Sequence, residues 1–355
     1  MSRIRSIKDF GQQVWLDYFS RDLLESGELA RMVQDDGIAG VTSNPAIFFN
    51  AINTDPAYQA ALATLKTTLS DPEQCFEALV LPDVQAACDM LRPLYDSTQG
   101  EQGYVSFEVS PQLAQDQAGT LAAARRLWAA IDRPNIMIKI PATPAGLRAF
   151  CAATADGINV NVTLIFSASQ AAQVFDAYQD GLSQRLAKDL PIDRVHAVAS
   201  VFISRVDTAV DKLLPDSAAA LRGKIALDSA KDIYQRWLQH FGGARFATLK
   251  AAGGNPIAPL WASTGSKNPA YSDVLYVEQL IGAGTVNTVP GPTLAAFGDH
   301  GVAASTLTAD LDGTQQRLAA LPALGIDLDK VGDQLLAEGL TLFDVAFDKL
   351  LALLK

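Results

Sequence analysis

Histidine and cysteine are scarce in this chain, with three of each among 355 residues. His196, His240 and His300 are scattered and offer no metal-ligand spacing, so no metal site is expected. Cys75, Cys88 and Cys151 show no CxxC spacing, and three thiols cannot all pair with one another. This fits a reducing compartment without a disulfide framework. Basic residues are also few, 28 against 39 acidic ones, which leaves a formal net charge of -11. Clustered Lys and Arg are what a phosphate backbone requires, so a nucleic-acid partner is not expected, although a local cationic pocket remains open. No run of 18 or more uncharged apolar residues occurs, which excludes an obvious transmembrane helix. The mildly basic start, Ser2 to Lys8, is not followed by an apolar segment with a cleavage-like site, so no secretory signal is read and a cytoplasmic location is expected.

What the chain has in quantity is apolar sequence, 49% of its residues. Short apolar runs that read as strands recur at 14–18, 38–42, 104–109, 135–140, 159–164, 196–202, 258–263 and 285–289. Helical patterns lie between them, including 21–34, 119–131, 145–154, 168–189 and 223–241. Alternation of this kind gives a parallel α/β sheet, and eight units close a (β/α)8 barrel, with a doubly wound sheet as the competing architecture. Residues 55–96 separate the second and third strands with two or three helices. Residues 292–355 read as all-helical and are expected to pack on the barrel, so that 1–355 forms a single domain. The glycine-bearing stretches 251–255 and 281–284 lack the strand-GxGxxG-helix context of a dinucleotide site and read as turns, and no cofactor is expected.

Lys139 stands out within the run NIMIKI. Side chains alternate along a strand, so Ile136, Ile138 and Ile140 share one face while Met137 and Lys139 share the other. The run is apolar on both faces, the pattern of a covered parallel strand, and Lys139 lies near its carboxyl end. A desolvated amine is disfavoured as the ammonium, and the neutral form has a lone pair with which to attack a carbonyl. Two plainer readings stay open: an ion pair with a buried carboxylate, or a side chain snorkelling from the strand end.

Other strands also place polar residues near their carboxyl ends, the face where (β/α)8 active sites gather. Asp17 ends the first strand, Thr42 and Asn44 follow the second, Glu108 ends the third, Asn161 and Thr163 lie in the fifth and Ser200 in the sixth. Each has an alternative use. Asp17 could cap the helix beginning near Ser20, and Asn44 before Pro45 could only form a turn. Asn161 and Thr163 could line a binding channel without catalysis. Glu108, between Phe107 and Val109, needs a partner or a proton. Lysine, carboxylates and a hydroxyl together suit a carbinolamine route in which an amine attacks a ketone and the others relay protons through an ordered water. Asn44 and Asn161 would then hydrogen-bond substrate hydroxyls. Arg205 and Lys267, near the ends of strands six and seven, could hold a phosphate with Ser200, although a solvated ion pair is the alternative for Arg205.

Five segments together resemble the transaldolase family, in particular its longer bacterial subfamily. They are GVTSNPAIF from Gly40, IMIKIPATPAGL from Ile136, NVNVTLIFS from Asn159, SVFISR from Ser200 and WASTGSKNPAYSD from Trp261. The first looks like the family's first signature and the second like its Schiff-base signature. The resemblance implies a (β/α)8 barrel that moves a dihydroxyacetone unit from sedoheptulose 7-phosphate to glyceraldehyde 3-phosphate. The products would be erythrose 4-phosphate and fructose 6-phosphate, in the non-oxidative pentose phosphate pathway.

Carried over by motif, Lys139 would be the Schiff-base nucleophile, Asp17 the acid/base at the sugar hydroxyl, and Glu108 with Thr163 the pair that handles the catalytic water. Thr42, within the first signature, would bind substrate along with Asn44 and Asn161, and the two asparagines would position the dihydroxyacetone unit. Ser200, Arg205 and Lys267 would take the phosphate, with Phe202 beside them. Shorter family members resemble this site but use arginine where Lys267 falls, so a point charge replaces a bidentate fork. Two rivals remain: a related aldolase that releases free dihydroxyacetone and carries an amide where Glu108 stands, and a non-catalytic sugar-phosphate-binding barrel. The sequence leaves the oligomeric state open between monomer and homodimer.

Overall fold

A computed structural model of the chain describes residues 2–355. Eight parallel strands pair in chain order and close on themselves as a barrel. They are β1 Gln12–Leu16, β2 Ile38–Thr42, β3 Tyr104–Glu108, β4 Ile136–Pro141, β5 Val160–Ile165, β6 Ala197–Phe202, β7 Ala258–Ala262 and β8 Thr285–Val289. β8 returns beside β1, matching Val14 with Asn287 and Leu16 with Val289. The (β/α)8 expectation is met and the doubly wound sheet is excluded.

The strands are buried on both faces because helices cover the outside and side chains fill the inside. That double burial explains why β4 and β6 read as continuous apolar runs. Register sets the inner layers: Glu108 stands beside Lys139, and Lys139 beside Asn161, so residues from β3, β4 and β5 lie abreast near the barrel mouth.

Local boundaries differ from the sequence reading at three places. β1 begins and ends two residues earlier than expected, so Asp17 lies just past the strand instead of closing it, held there by its N–H donating to Val289 O at 2.9 Å. The expected helix 21–34 is broken: Arg21–Glu25 stops before Gly27, whose φ of 75° is in the left-handed region, and a helical segment restarts at Glu28. Residues 292–355 are not all helical either. Gly291–His300, Leu311–Ala320 and Leu328–Leu353 are α-helices, but 301–306 has no regular structure, and the chain there is fixed by Thr306 and Leu307 N–H groups donating to Ile281 O.

The insertion between β2 and β3 contains Pro45–Thr54, Gln59–Thr68 and the long helix Pro72–Ser97, joined by a short 3-10 turn at Pro56–Tyr58. Arg21 pins it to the barrel, donating to both carboxylate oxygens of Asp83 at 3.0 and 3.1 Å while its guanidinium lies 4.5 Å from the Tyr58 ring centroid. A two-pronged pair of this kind fixes orientation as well as charge.

The helix Leu328–Leu353 crosses the carboxyl end of the barrel. Asp327 caps its start by accepting from Asp329 N–H. Its buried stripe includes Gly332, Gly339, Phe343 and Phe347. A Cβ at Gly332 would sit 2.8 Å from Ser167 Cβ, and one at Gly339 would sit 3.0 Å from Leu164 Cδ2, so the two glycines let the helix backbone press directly on the loop and strand end of β5. Further along, Phe343 reaches Lys139 and Phe347 packs edge-on to Phe76 of the insertion.

Candidate active site

Lys139 points into the barrel from β4 and is 5% exposed. Its Nζ donates to Ser43 O at 3.1 Å, lies 3.9 Å from Glu108 Oε2, and faces the Phe343 ring at 6.0 Å. The ion-pair reading is met, at the outer limit of ion-pair distance, and the snorkelling reading is not. The amine does not reach water as a snorkelling chain would, and its carboxylate neighbour lies beyond hydrogen-bond distance. Phe343 covers it from the C-terminal helix.

Glu108 is equally enclosed, its side chain 7% exposed. Burial pushes its carboxyl up to about 7, with the Lys139 charge pulling down and Asp17 pushing up. Its Oε2 has no hydrogen-bond partner among the described residues, and the same holds for the buried Thr163 Oγ1. Ten other buried side-chain atoms among the described residues also lack a partner, so what sets these two apart is their place in the barrel mouth. Thr163 precedes a local irregularity in β5: Leu164 has φ of 64° and the register to β6 shifts between Val162 and Ile165. A leucine in the left-handed region is strained, and such strain collects where a site needs a side chain re-aimed.

Asp17 Oδ1 accepts from Thr42 Oγ1 at 2.7 Å. Burial raises its carboxyl above the ordinary range; Lys139, the Thr42 bond and Lys267 pull it back. It does not cap the helix Arg21–Glu25, because Ser20 does so by accepting from Leu23 N–H. Asn44 shows both faces of its alternative. Its Oδ1 accepts from Ile47 N–H at 3.0 Å and caps the helix Pro45–Thr54, with Pro45 at the first helical position. Its amide NH2 donates no hydrogen bond among the described residues, and the side chain lines a small cavity with Glu108, Phe107 and Phe347.

Asn161 is fully buried and tied at both ends. It donates to Ser106 Oγ at 3.1 Å and accepts from Ser200 Oγ at 2.6 Å. Ser200 thus spends its proton on Asn161, a link the sequence reading did not anticipate.

Arg205 lies in the first turn of the helix Ser204–Leu213, its guanidinium 5.4 Å from the Phe202 ring centroid. Burial lowers its pKa from the ordinary value, opposed by Glu338. No carboxylate lies within ion-pair distance of it among the described residues, so the solvated ion pair is not what this side chain makes. Lys267 sits on the exposed loop after β7 and likewise makes no ion pair among the described residues. The barrel therefore gathers Asp17, Thr42, Glu108, Lys139, Asn161, Thr163 and Ser200 in its mouth, while Phe202 and Arg205 form a unit beside it and Lys267 stands on the rim.

Sequence reasoning passed over Ser106, Thr288 and Phe343. Ser106 had a signal, since it shares the inward parity of Glu108 two residues on. Phe343 had none beyond its helical spacing.

No helix among the described residues is long and apolar enough to cross a membrane. No group of three or more His, Cys, Asp or Glu among the described residues is placed to hold a metal ion.

Residues 14–354 match the family model described as transaldolase/fructose-6-phosphate aldolase. Three similar proteins illustrate the range of relatives. A protein from Thiobacillus denitrificans named transaldolase is 49% identical, covering 99% of both chains. One from Neisseria meningitidis serogroup C, also named transaldolase, is 51% identical, again over 99% of both. Transaldolase 1 from Streptomyces coelicolor is 45% identical over 98% of this chain and 93% of its own. A barrel mouth built around a buried lysine, and similarity that runs the length of the sequence, lead to one assignment: the chain belongs to the transaldolase/fructose-6-phosphate aldolase family.

Proposed function

We propose that this protein is a transaldolase, transferring a dihydroxyacetone unit from sedoheptulose 7-phosphate to glyceraldehyde 3-phosphate and yielding erythrose 4-phosphate and fructose 6-phosphate. The observation that carries this reading is the setting of Lys139: a buried amine with a carboxylate 3.9 Å away that does not neutralise it through a hydrogen bond.

The Lys139 nitrogen attacks the ketose carbonyl through its lone pair. Glu108, whose carboxyl titrates near neutrality, protonates the departing hydroxyl with Thr163 steering the water, and an iminium forms. The Asp17 carboxylate then takes the proton of the hydroxyl on the fourth carbon. The bond between the third and fourth carbons breaks, its electrons flow to the iminium nitrogen, and the aldose leaves as an aldehyde while the three-carbon enamine stays on Lys139. Attack of the enamine on the acceptor aldehyde, with Asp17 returning the proton, runs the same step backwards. Water then releases the new ketose.

Asn44, through its undonated NH2, and Asn161 position the dihydroxyacetone hydroxyls, with Thr42 holding Asp17. Arg205, stacked on Phe202, and Lys267 bind the phosphate, with Ser200 reaching the site through Asn161. A cation without a carboxylate partner at the start of a helix favours an anion there, since helix N-termini present free N–H groups. We further read 1–355 as one domain acting in the cytoplasm, with the C-terminal helix as an integral cover of the site.

Borohydride reduction in the presence of fructose 6-phosphate, followed by peptide mass spectrometry, tests the reading at its centre. A reduced three-carbon adduct on Lys139 is expected. Its absence would leave a sugar-phosphate-binding barrel without catalysis. An aldolase releasing free dihydroxyacetone is disfavoured by the carboxylate at Glu108.

A further inference from the structure

β8 brings to the barrel mouth a hydroxyl that the mechanism above does not use. Thr288 is 3% exposed, and its Oγ1 lies 2.6 Å from Thr42 Oγ1, which in turn is 2.7 Å from Asp17 Oδ1. Counting protons fixes the direction of this chain. A hydroxyl has one proton to give, and an ionised carboxylate only accepts. While Asp17 is ionised, Thr42 gives its proton to Oδ1, so the short contact with Thr288 is a donation from Thr288 to Thr42. Thr288 Oγ1 makes no other hydrogen bond among the described residues. If Asp17 were protonated and donated to Thr42, Thr42 would donate to Thr288, and the Thr288 proton would have no acceptor in a buried interior. The chain therefore places every proton when Asp17 Oδ1 is an acceptor, as it is in the carboxylate, and strands one when Oδ1 carries the proton.

We infer that Thr288 is a positioning residue for proton transfer at Asp17: by donating to Thr42 it orients the hydroxyl that holds Asp17 as the base until the substrate delivers its proton. The inference rests on the reading of Asp17 as the acid/base. The step balances: the substrate O–H bond breaks, an O–H bond forms on Asp17, and the carbon–carbon bonding pair goes to the iminium. Hydrogen bonds in series polarise one another, so removing the outer donor weakens the inner bond as well.

The charged groups that act on Asp17 are Lys139 from β4 and Lys267 from the loop after β7, which favour its carboxylate, and Glu108 from β3, which is coupled to it unfavourably. All three remain in Thr288→Val, which deletes one hydroxyl at nearly constant shape. A change in the titration of the cleavage step would therefore report on that hydroxyl.

The test compares full-length wild type, Thr288→Val and Thr288→Ser by kcat and KM against pH, with fructose 6-phosphate as donor, and by borohydride trapping on Lys139. For Thr288→Val we expect unchanged trapping, KM within about twofold, and kcat at neutral pH lower by about threefold to tenfold, the effect of losing one hydrogen bond. The acid limb of its kcat profile should move up by about half a pH unit. Thr288→Ser should restore the wild-type limb. An unmoved acid limb in the valine variant, or a serine variant that keeps the valine profile, would overturn the inference while leaving the Schiff base intact. Failure of the wild type to trap any adduct would instead remove the transaldolase reading, and this role with it. Should the valine variant not fold, Thr288→Ala makes the same comparison with serine.

Discussion

Lys139 Nζ lies 3.9 Å from Glu108 Oε2, close enough for each group to feel the other's charge and too far for a hydrogen bond between them. The lysine instead donates to the Ser43 carbonyl, which leaves the glutamate oxygen free to handle a proton. The pair is a buried salt bridge at long range, without the hydrogen bond that would satisfy both partners.

Glu108→Gln keeps the shape and removes the titrating group. Transfer should fall by about 100-fold, within the range for losing a general acid/base, while release of free dihydroxyacetone gains relative to transfer. Assays of erythrose 4-phosphate and free dihydroxyacetone from the same reaction measure both. An unchanged transferase rate would take Glu108 out of the mechanism.

Stability should carry the mark of the same carboxyl. Its folded pKa, about 7, is above the ordinary value of 4.5, so between those values the folded protein holds the proton more tightly than the unfolded chain. The resulting stabilisation is fully present below 4.5 and is lost as pH rises through about 7. A gap of about 2.5 between the two values corresponds to at most about 4 kcal/mol. Glu108→Gln should therefore flatten the fall in denaturation midpoint between pH 5 and about 8. A variant with the wild-type slope across that window would place the titration elsewhere.

Arg205→Gln should raise KM for phosphorylated ketoses by about 10- to 100-fold, the worth of a hydrogen bond to a charged group. Activity on unphosphorylated dihydroxyacetone should change little. Lys267→Ala should act in the same direction but less, because the side chain is exposed. Equal effects on phosphorylated and unphosphorylated substrates would show that Arg205 does not bind the phosphate.

Gly332→Leu tests the seating of the C-terminal helix. Even a Cβ would meet Ser167 Cβ at 2.8 Å, so the helix or the loop must move, at a cost of about 1–3 kcal/mol. Chemical denaturation of the variant measures this, and wild-type stability would mean that the contact yields freely.

The barrel was legible because its strands are buried on both faces and therefore leave short continuous apolar runs. Lys139, Glu108 and Asn161 were legible for the related reason that a polar residue is conspicuous in such a run. Gln12 and Gln13 hid the start of β1, since two amides do not read as strand. The structure accommodates Gln12 by having it donate to Leu280 O and Thr285 Oγ1. The helix Pro45–Thr54 was hidden behind an Asn-Pro pair that reads as a turn and is in fact a cap followed by the first helical position. Thr288 was invisible for a different reason. Its value depends on Thr42, 246 positions away in sequence, and a threonine in the strand TVNTV has no local oddity to betray it. The placement of the C-terminal helix over the mouth likewise depends on contacts at Ser167, Leu164 and Lys139 that no spacing within the helix encodes.

The order in which a ribosome delivers these parts gives the cover over Lys139 a temporal meaning. Lys139 is made before the midpoint of the chain, whereas β8 and the helix that carries Phe343 follow every other strand. Until they emerge, the barrel is open along one side and Lys139 lacks the Phe343 cover. The enclosure of Lys139 is thus the last part of the fold to be completed, and it comes together only when the ring around it is closed.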